Sequence, residues 1–231
     1  MRKESTAYIS QDQIYDRWKF GNFSRIKLKK IRPLLLKRKN LLDVGCGDGS
    51  FYEGIKDIPL KYTGIDISGV QVNVARKKGL TAVKHDLTTP WPFKSNAFDV
   101  IIASEIIEHV FDTDFFLQEC KRVLTKNGTL VITTPNVCAL GERIRCLSGR
   151  RPSVIDYRTN NSTSGHIRAF SIYDLKQLIR DNGLIMESYT GSDFFLPIIS
   201  SDMRFFGKIN EWLCSIFPKF SAGFIIKIRK R

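Results

Sequence analysis

The chain predicts a doubly wound α/β sheet of seven strands, mostly parallel, with an antiparallel last strand. Three observations carry this. Short apolar runs alternate with helical stretches along most of the chain. The run Leu41-Leu42-Asp43-Val44-Gly45-Cys46-Gly47-Asp48-Gly49-Ser50 leads an apolar strand into a glycine-spaced loop that opens a helix. The final stretch sets Phe224, Ile226 and Ile228 against Ile225, Lys227 and Arg229, the two-residue period of a strand near a sheet edge.

Taken in order, residues 8–38 carry apolar side chains at helical spacing (Ile14, Trp18, Ile26, Leu28, Ile31, Leu34, Leu35). They predict one or two helices, broken near Gly21-Asn22 and at Pro33. Strands follow at 41–44, 62–67, 81–84, 98–103, 129–134, 184–189 and 223–228, with helices after Gly49 and over 69–78, 113–124 and 171–181. Ser171 and Asp174 have the spacing of a helix-opening capping box, and Asn182-Gly183 closes that helix. Residues 135–170 break the alternation, being rich in Arg, Ser, Thr, Asn and Gly. A connection of that length at a strand's carboxyl end reads as a substrate-binding insert. The expected organisation is an N-terminal helical segment over 1–39 and a catalytic-type domain over 40–231.

Composition narrows the class. The chain has 231 residues, 42% hydrophobic and 26% charged, ordinary values for a globular domain. No stretch approaches the roughly 20 apolar residues of a membrane span. Met1-Arg2-Lys3-Glu4-Ser5 has no apolar stretch behind it, so no secretory signal is expected. The five cysteines stand at 46, 120, 138, 146 and 214 without a C-x-x-C pair, which indicates neither a zinc site nor a disulfide framework. A cytoplasmic protein is expected. The net charge of +14 is uneven: residues 1–39 hold 12 Lys and Arg against 3 acids, and residues 203–231 hold 7 against 1. Basic ends suit nucleic acid, anionic lipid head groups or phosphorylated substrates, and equally a plain solvated surface. Phe205, Phe206, Ile209, Trp212, Leu213, Ile216 and Phe217 form an amphipathic helical pattern near that basic tail. It predicts either packing on the sheet or peripheral contact with a membrane.

The loop chemistry is more specific. A dinucleotide fingerprint runs G-x-G-x-x-G, but here the spacing is G-x-G-x-G, with Ser50 where the last glycine would fall. Asp43 precedes the loop; a carboxylate there opposes a pyrophosphate and suits an ammonium group. Asp66 ends the second strand, 21 positions after Gly45, where an acid can accept from both ribose hydroxyls of an adenosine. Asp86 follows the third strand, with Trp91-Pro92-Phe93 as an expected pocket wall. At the end of the fourth strand stands Ser104-Glu105-Ile106-Ile107-Glu108-His109. Glu105 and His109 share a face if that segment is helical. Three roles are open for His109: a general base on a hydroxyl with Glu105 orienting it, a ligand with Glu105 and Glu108 for a divalent cation, or a packing residue. No metal site is assigned. Thr134-Pro135-Asn136 and Gly165-His166-Ile167-Arg168-Ala169-Phe170-Ser171 bracket the insert.

The glycine run resembles motif I of the class I S-adenosylmethionine (SAM) methyltransferases, a Rossmann-like family. The E-x-x-E-H segment is similar to that of the ubiquinone-biosynthesis O-methyltransferase type. The T-P-N and H-x-R-x-F elements resemble bacterial small-molecule and polysaccharide-cluster methyltransferases. The resemblance covers roughly residues 35–190. It implies SAM as cofactor and a last strand inserted antiparallel beside the sixth. It also implies a cofactor site of Asp43, Gly45, Cys46, Gly47, Gly49, Asp66, Ile67, Asp86, Leu87 and Ser104. Asp86 would meet the adenine amino group, and the amide of Leu87 the ring. Glu105, His109 and His166 are the catalytic candidates, with Tyr157, Arg158 and Arg168 as substrate contacts. The absence of an N/D-P-P-Y motif argues against methylation of a base or an amide nitrogen. The expected acceptor is an oxygen, or a nitrogen, of a small metabolite or of a sugar- or lipid-linked intermediate. Two alternatives stay open: an RNA methyltransferase, and a non-catalytic SAM-binding accessory protein resembling MetW. Oligomeric state is left unassigned.

Overall fold

The computed structural model describes residues 25–156, 165–194 and 204–231. The first predicted helical stretch, residues 8–24, lies outside them. Helix α1 (Arg25–Leu35) leads into β1 (Asn40–Val44), the short α2 (Ser50–Glu53), β2 (Lys61–Asp66), α3 (Gly69–Lys77), β3 (Ala82–Lys84) and β4 (Phe98–Ser104). A 3-10 turn (Ile107–His109), α4 (Thr113–Val123), β5 (Leu124–Pro135) and α5 (Leu140–Leu147) follow. The chain ends with α6 (Ile172–Asp181), β6 (Leu184–Gly191), α7 (Arg204–Ile216), a second 3-10 turn (Pro218–Phe220) and β7 (Gly223–Lys230).

The seven strands lie in the order β3-β2-β1-β4-β5-β7-β6. β1 pairs in parallel with β2 and β4, while β7 runs antiparallel to both β5 and β6. The predicted fold class is the observed one. Two-residue alternation in the strands builds a core on each face of the sheet. Leu42, Val44, Ile101, Ala103, Leu130 and Ile132 face α4 and α6, meeting Phe116, Leu117, Leu175 and Ile179. Leu41, Val100, Ile102 and Val131 face the other way, meeting Ile31, Phe51, Ile55 and Val72. Central parallel strands buried on both faces read as continuous apolar runs, as β1 and β4 do.

Local signals set the helix ends. Ser68 Oγ accepts from Gln71 N at 3.1 Å to open α3, and Asp112 accepts from Phe115 N at 2.8 Å to open α4. The Ser171–Asp174 capping box forms as predicted. Pro33 does not break α1: it sits in the last turn, and the helix ends two residues later at Leu35. Ile31 and Leu35 are fully buried in the core that β1 shares, so this helix is part of the domain's packing. The insert also differs from a plain loop. It carries α5, none of whose side chains is buried, and it returns to the sheet through a parallel bridge between Asn136 and Phe170.

The order in which strands are added reverses between the parallel neighbours β1 and β4. In doubly wound sheets the crevice at the carboxyl ends of such strands is where ligands bind. The glycine loop, the end of β2 and the end of β4 all open there.

Candidate active site

The loop after β1 is held in one shape. The amides of Gly45 and Cys46 both donate to the Ile65 carbonyl, at 2.8 and 3.2 Å. Gly45, Gly47 and Gly49 all have positive φ. At Gly45 an added Cβ would lie 1.9 Å from Ile106 Cδ1, so the glycine lets the β4 loop close over the β1 loop. Cys46 is buried, its sulfur filling the space left by the missing side chain of Gly64.

Two carboxylates flank this loop. Asp66 accepts from Gly47 N through Oδ2 and from Ser68 N through Oδ1, both at 2.8 Å. Asp66 thus ties the glycine loop to the start of α3 from the end of β2. Asp43 lies buried and accepts from the Tyr62 hydroxyl at 2.7 Å. Burial raises its pKa to about 7 against the pull of the Tyr62 hydrogen bond, and the Asp66 charge adds to the rise. A raised acid favours the folded state most when protonated, so its contribution to stability fades as pH climbs from about 4 through 7. A cationic ligand beside Asp43 favours the carboxylate and must displace that proton. Affinity for SAM should therefore rise up to about tenfold between about pH 5.5 and 6.5, where an α-amino group stays charged. A titration showing flat affinity over that range would detach Asp43 from the ligand's ammonium.

The remaining cofactor candidates surround the same crevice. Asp86 is exposed, and its Oδ1 closes a turn by accepting from Thr88 N and Oγ1 at 2.9 and 2.8 Å. Ile67, Leu87 and Ser104 are half-buried at the ends of β2, β3 and β4. Trp91 and Phe93 depart from the expectation of a pocket wall. Trp91 is 3% exposed in the core, edge-on to Phe116, and Phe93 stacks edge-on against Phe98.

At the end of β4 the Ser104 hydroxyl lies 2.8 Å from that of Thr133. Glu105 follows with φ 56, a left-handed backbone that a glutamate adopts only where its surroundings compel it. Its Oε1 accepts from Thr133 Oγ1 at 2.7 Å and pairs with Lys27 Nζ at 2.8 Å. Helix α1 thus lays a lysine over the end of β4. Glu108 is 1% exposed; Oε2 accepts from Thr134 Oγ1 at 2.9 Å. Burial and the neighbouring Glu105 charge push its pKa up to about 8.

His109 lies beside it, half-buried, with Nδ1 3.0 Å from the Gly165 carbonyl. Burial lowers its pKa to about 4. The returning insert pins this turn, because Ile167 N and Arg168 N both donate to the Glu108 carbonyl, at 3.0 and 3.1 Å. His166 comes with it: its ring centroid is 4.9 Å from that of His109, and its Nδ1 is 3.0 Å from the Val154 carbonyl. The two histidines, 57 positions apart in the chain, share one site. Arg168 is turned toward the carbonyls of Val110 and Phe111, a brace for the turn. Tyr157 and Arg158 lie outside the described residues.

Sequence reasoning gave no role to Lys27, Tyr62, Thr133, Thr134 or Ile106. Thr133 and Thr134 carried a signal, being polar at the buried carboxyl end of a central strand. Lys27 carried none.

The chain matches the profile of the family described as "Methyltransferase domain" over residues 15–189. It is 39% identical over 131 residues to the ubiquinone biosynthesis O-methyltransferase of Pelagibacter ubique, covering 50% of this chain and 55% of that one. It is 26% identical over 174 residues to a probable S-adenosylmethionine-dependent methyltransferase of Mycolicibacterium smegmatis, covering 75% and 62%. The matches span about three fifths or less of these relatives' length. A solved structure from Thermotoga maritima, described as a SAM-dependent methyltransferase and possible histamine N-methyltransferase, superposes with TM-score 0.64 at 22% identity, over 89% of this chain and 88% of that one. The glycine loop and its flanking acids therefore have their explanation in shared descent: the chain belongs to the methyltransferase domain family, within the class I SAM-dependent methyltransferases.

Proposed function

We propose that this chain transfers the methyl group of SAM to a hydroxyl oxygen of a small molecule. The observation that carries this reading is the meeting of His109 and His166 at the turn after β4, whose Ile106 closes against Gly45 of the glycine loop; Glu105 stands at the start of that turn but is held by Thr133 and Lys27 and does not orient His109 by a hydrogen bond. In the transfer, the acceptor oxygen forms a bond to the methyl carbon as the carbon–sulfur bond breaks, leaving the thioether S-adenosylhomocysteine. The hydroxyl proton must leave. The sulfonium is already activated, so the protein's share is alignment, exclusion of water and removal of that proton. Glycines 45, 47 and 49 admit the methionine part, Asp66 takes the ribose and Asp86 the adenine edge. The relative from Pelagibacter ubique, an O-methyltransferase by name, supports oxygen over nitrogen.

The basic N-terminal helix does not favour an RNA substrate. Lys27 pairs with Glu105, Lys29 with Glu211 and Arg32 with Asp57, while Lys30 donates to Thr190 and Gly191. Cations tied down internally make a poor comb for phosphates. A lipid-linked acceptor is supported by the outward apolar side chains of Leu147, Trp212, Ile216 and Phe217. Among the described residues no helix is long and apolar enough to cross a membrane.

His166→Ala should lower kcat about 100-fold or more, in the range of a lost proton-handling group, while SAM affinity stays within about twofold. Single-turnover methylation of hydroxylated acceptors, with calorimetric SAM titration alongside, checks this. Unchanged turnover would remove the histidine pair from the acceptor site.

A further inference from the structure

Tyr62 takes no part in methyl transfer, yet its phenol is built into the underside of the cofactor loop. Asp43 of β1 stands opposite Gly64 of β2, and Tyr62 precedes Gly64 by two residues on the same face. A Cβ on Gly64 would meet Cys46 Sγ at 2.5 Å and the Tyr62 hydroxyl at 3.3 Å. The bare position therefore lets the phenol lean along β2 and donate to Asp43 Oδ2 at 2.7 Å. Tyr52 of α2 fixes the ring, edge-on with centroids 5.2 Å apart. Tyr62 and Asp43 are both buried.

A carboxylate taken out of water needs partners to keep its charge. Few polar groups face this one. β2 contributes Tyr62 and Asp66, the glycine loop contributes Cys46, and the β4 residue opposite Asp43 is the apolar Ile102. The Asp66 charge works against a second anion, and the Tyr62 hydrogen bond works for it. Burial raises the pKa of the Cys46 thiol and keeps it neutral. Burial, then the Asp43 charge, also raises that of Tyr62, so the phenol keeps its proton and stays a donor.

We propose that Tyr62 is a positioning residue of the cofactor site, holding the Asp43 carboxylate ready for the ammonium group of SAM. The proposal rests on Asp43 meeting that ammonium and is independent of the methyl acceptor. When the cation binds, the Asp43 proton leaves to solvent and the ligand's charge takes its place. A hydrogen bond strengthens when its acceptor becomes charged, so Tyr62 lowers the cost of this exchange. Its influence is then largest where Asp43 would otherwise be protonated and fades where Asp43 is ionised without help.

The test is calorimetric titration of the full-length chain with S-adenosylhomocysteine, which keeps the amino group, from about pH 5.5 to 8.5. Tyr62→Phe retains the ring and its contact with Tyr52. It should bind about 10-fold more weakly than wild type at about pH 5.5–6.5, and within about threefold of it at about pH 8.5. Titration of the ligand's own amino group cancels in this ratio. A structural defect alone would weaken binding by one factor at every pH. In an Asp43→Asn background, Tyr62→Phe should change affinity less than about twofold, because the charge it serves is gone. Should Tyr62→Phe fail to fold, 13C spectra of the wild-type chain decide: adding ligand at about pH 6 should move the Tyr62 Cζ resonance in the same direction as raising the pH does. A pH-independent ratio, an undiminished effect in the Asp43→Asn background, or a Tyr62 resonance indifferent to ligand would each overturn the proposal. The shifted profile in a chain that methylates no hydroxylated acceptor would leave Tyr62 in its role and sink the functional reading. Methyl transfer by a chain with a pH-independent ratio would do the reverse.

Discussion

Replacing Gly45 with alanine is expected to disable the cofactor loop and destabilise the fold together. The new Cβ would lie 1.9 Å from Ile106 Cδ1 and 2.4 Å from Ile106 Cγ1, inside any real carbon–carbon contact. It would also have to adopt φ +72, which costs an L-residue about 1–2 kcal/mol. Overpacking against Ile106 adds about 1–3 kcal/mol. Ile106 cannot retreat cheaply, because it sits between left-handed Glu105 and buried Ile107. Thermal unfolding should show the loss directly, and SAM affinity should fall at least about 100-fold. The double variant Gly45→Ala with Ile106→Ala should recover much of the stability, since the clash has one source. A single variant as stable as wild type would mean that the two loops do not close on each other.

Asp66→Ala is the second large effect. It removes the acceptor for the amides of Gly47 and Ser68, hydrogen bonds to a charged group worth about 1.5–3 kcal/mol each. It also removes the carboxylate proposed to hold the ribose. SAM affinity should drop about 100- to 1000-fold, corresponding to about 3–4 kcal/mol. Asp66→Asn separates the two roles. The amide oxygen keeps one backbone contact while the charge is gone, so stability should recover more than affinity does. Equal recovery of both would make Asp66 a brace for the loop and no more.

Much of this was legible in the sequence because the relevant signals are local. The run from Leu41 to Ser50 states an apolar strand, an acid and a glycine turn within ten residues, and no distant contact is needed to read it. Asp66 and Asp86 stand at strand ends for the same reason. The Ser171–Asp174 box is likewise complete within four positions. What could not be read depends on tertiary placement. Lys27 reaches Glu105 only because α1 crosses the carboxyl end of β4, and helical periodicity shows which face is apolar, not what lies beyond its edge. The pairing of His109 with His166 was equally hidden, since it requires the insert to return over the turn after β4. Trp91 reads as a pocket aromatic beside Asp86, yet it turns inward to Phe116, because a large ring at a loop start gains more from the core than from a crevice. Pro33 marks the approach of the helix end rather than a break at its own position, since α1 runs only two residues past it to Leu35.

The central claim is that the adenosine and methionine parts of SAM lie across the Gly45–Gly49 loop with the sugar on Asp66. A crystal of the chain grown with S-adenosylhomocysteine tests it most directly. The account predicts density for one ligand in the crevice between the ends of β1, β2 and β4, with both ribose hydroxyls within about 3 Å of the Asp66 carboxylate. Density elsewhere, or a crevice without ligand at saturating concentration, would contradict it.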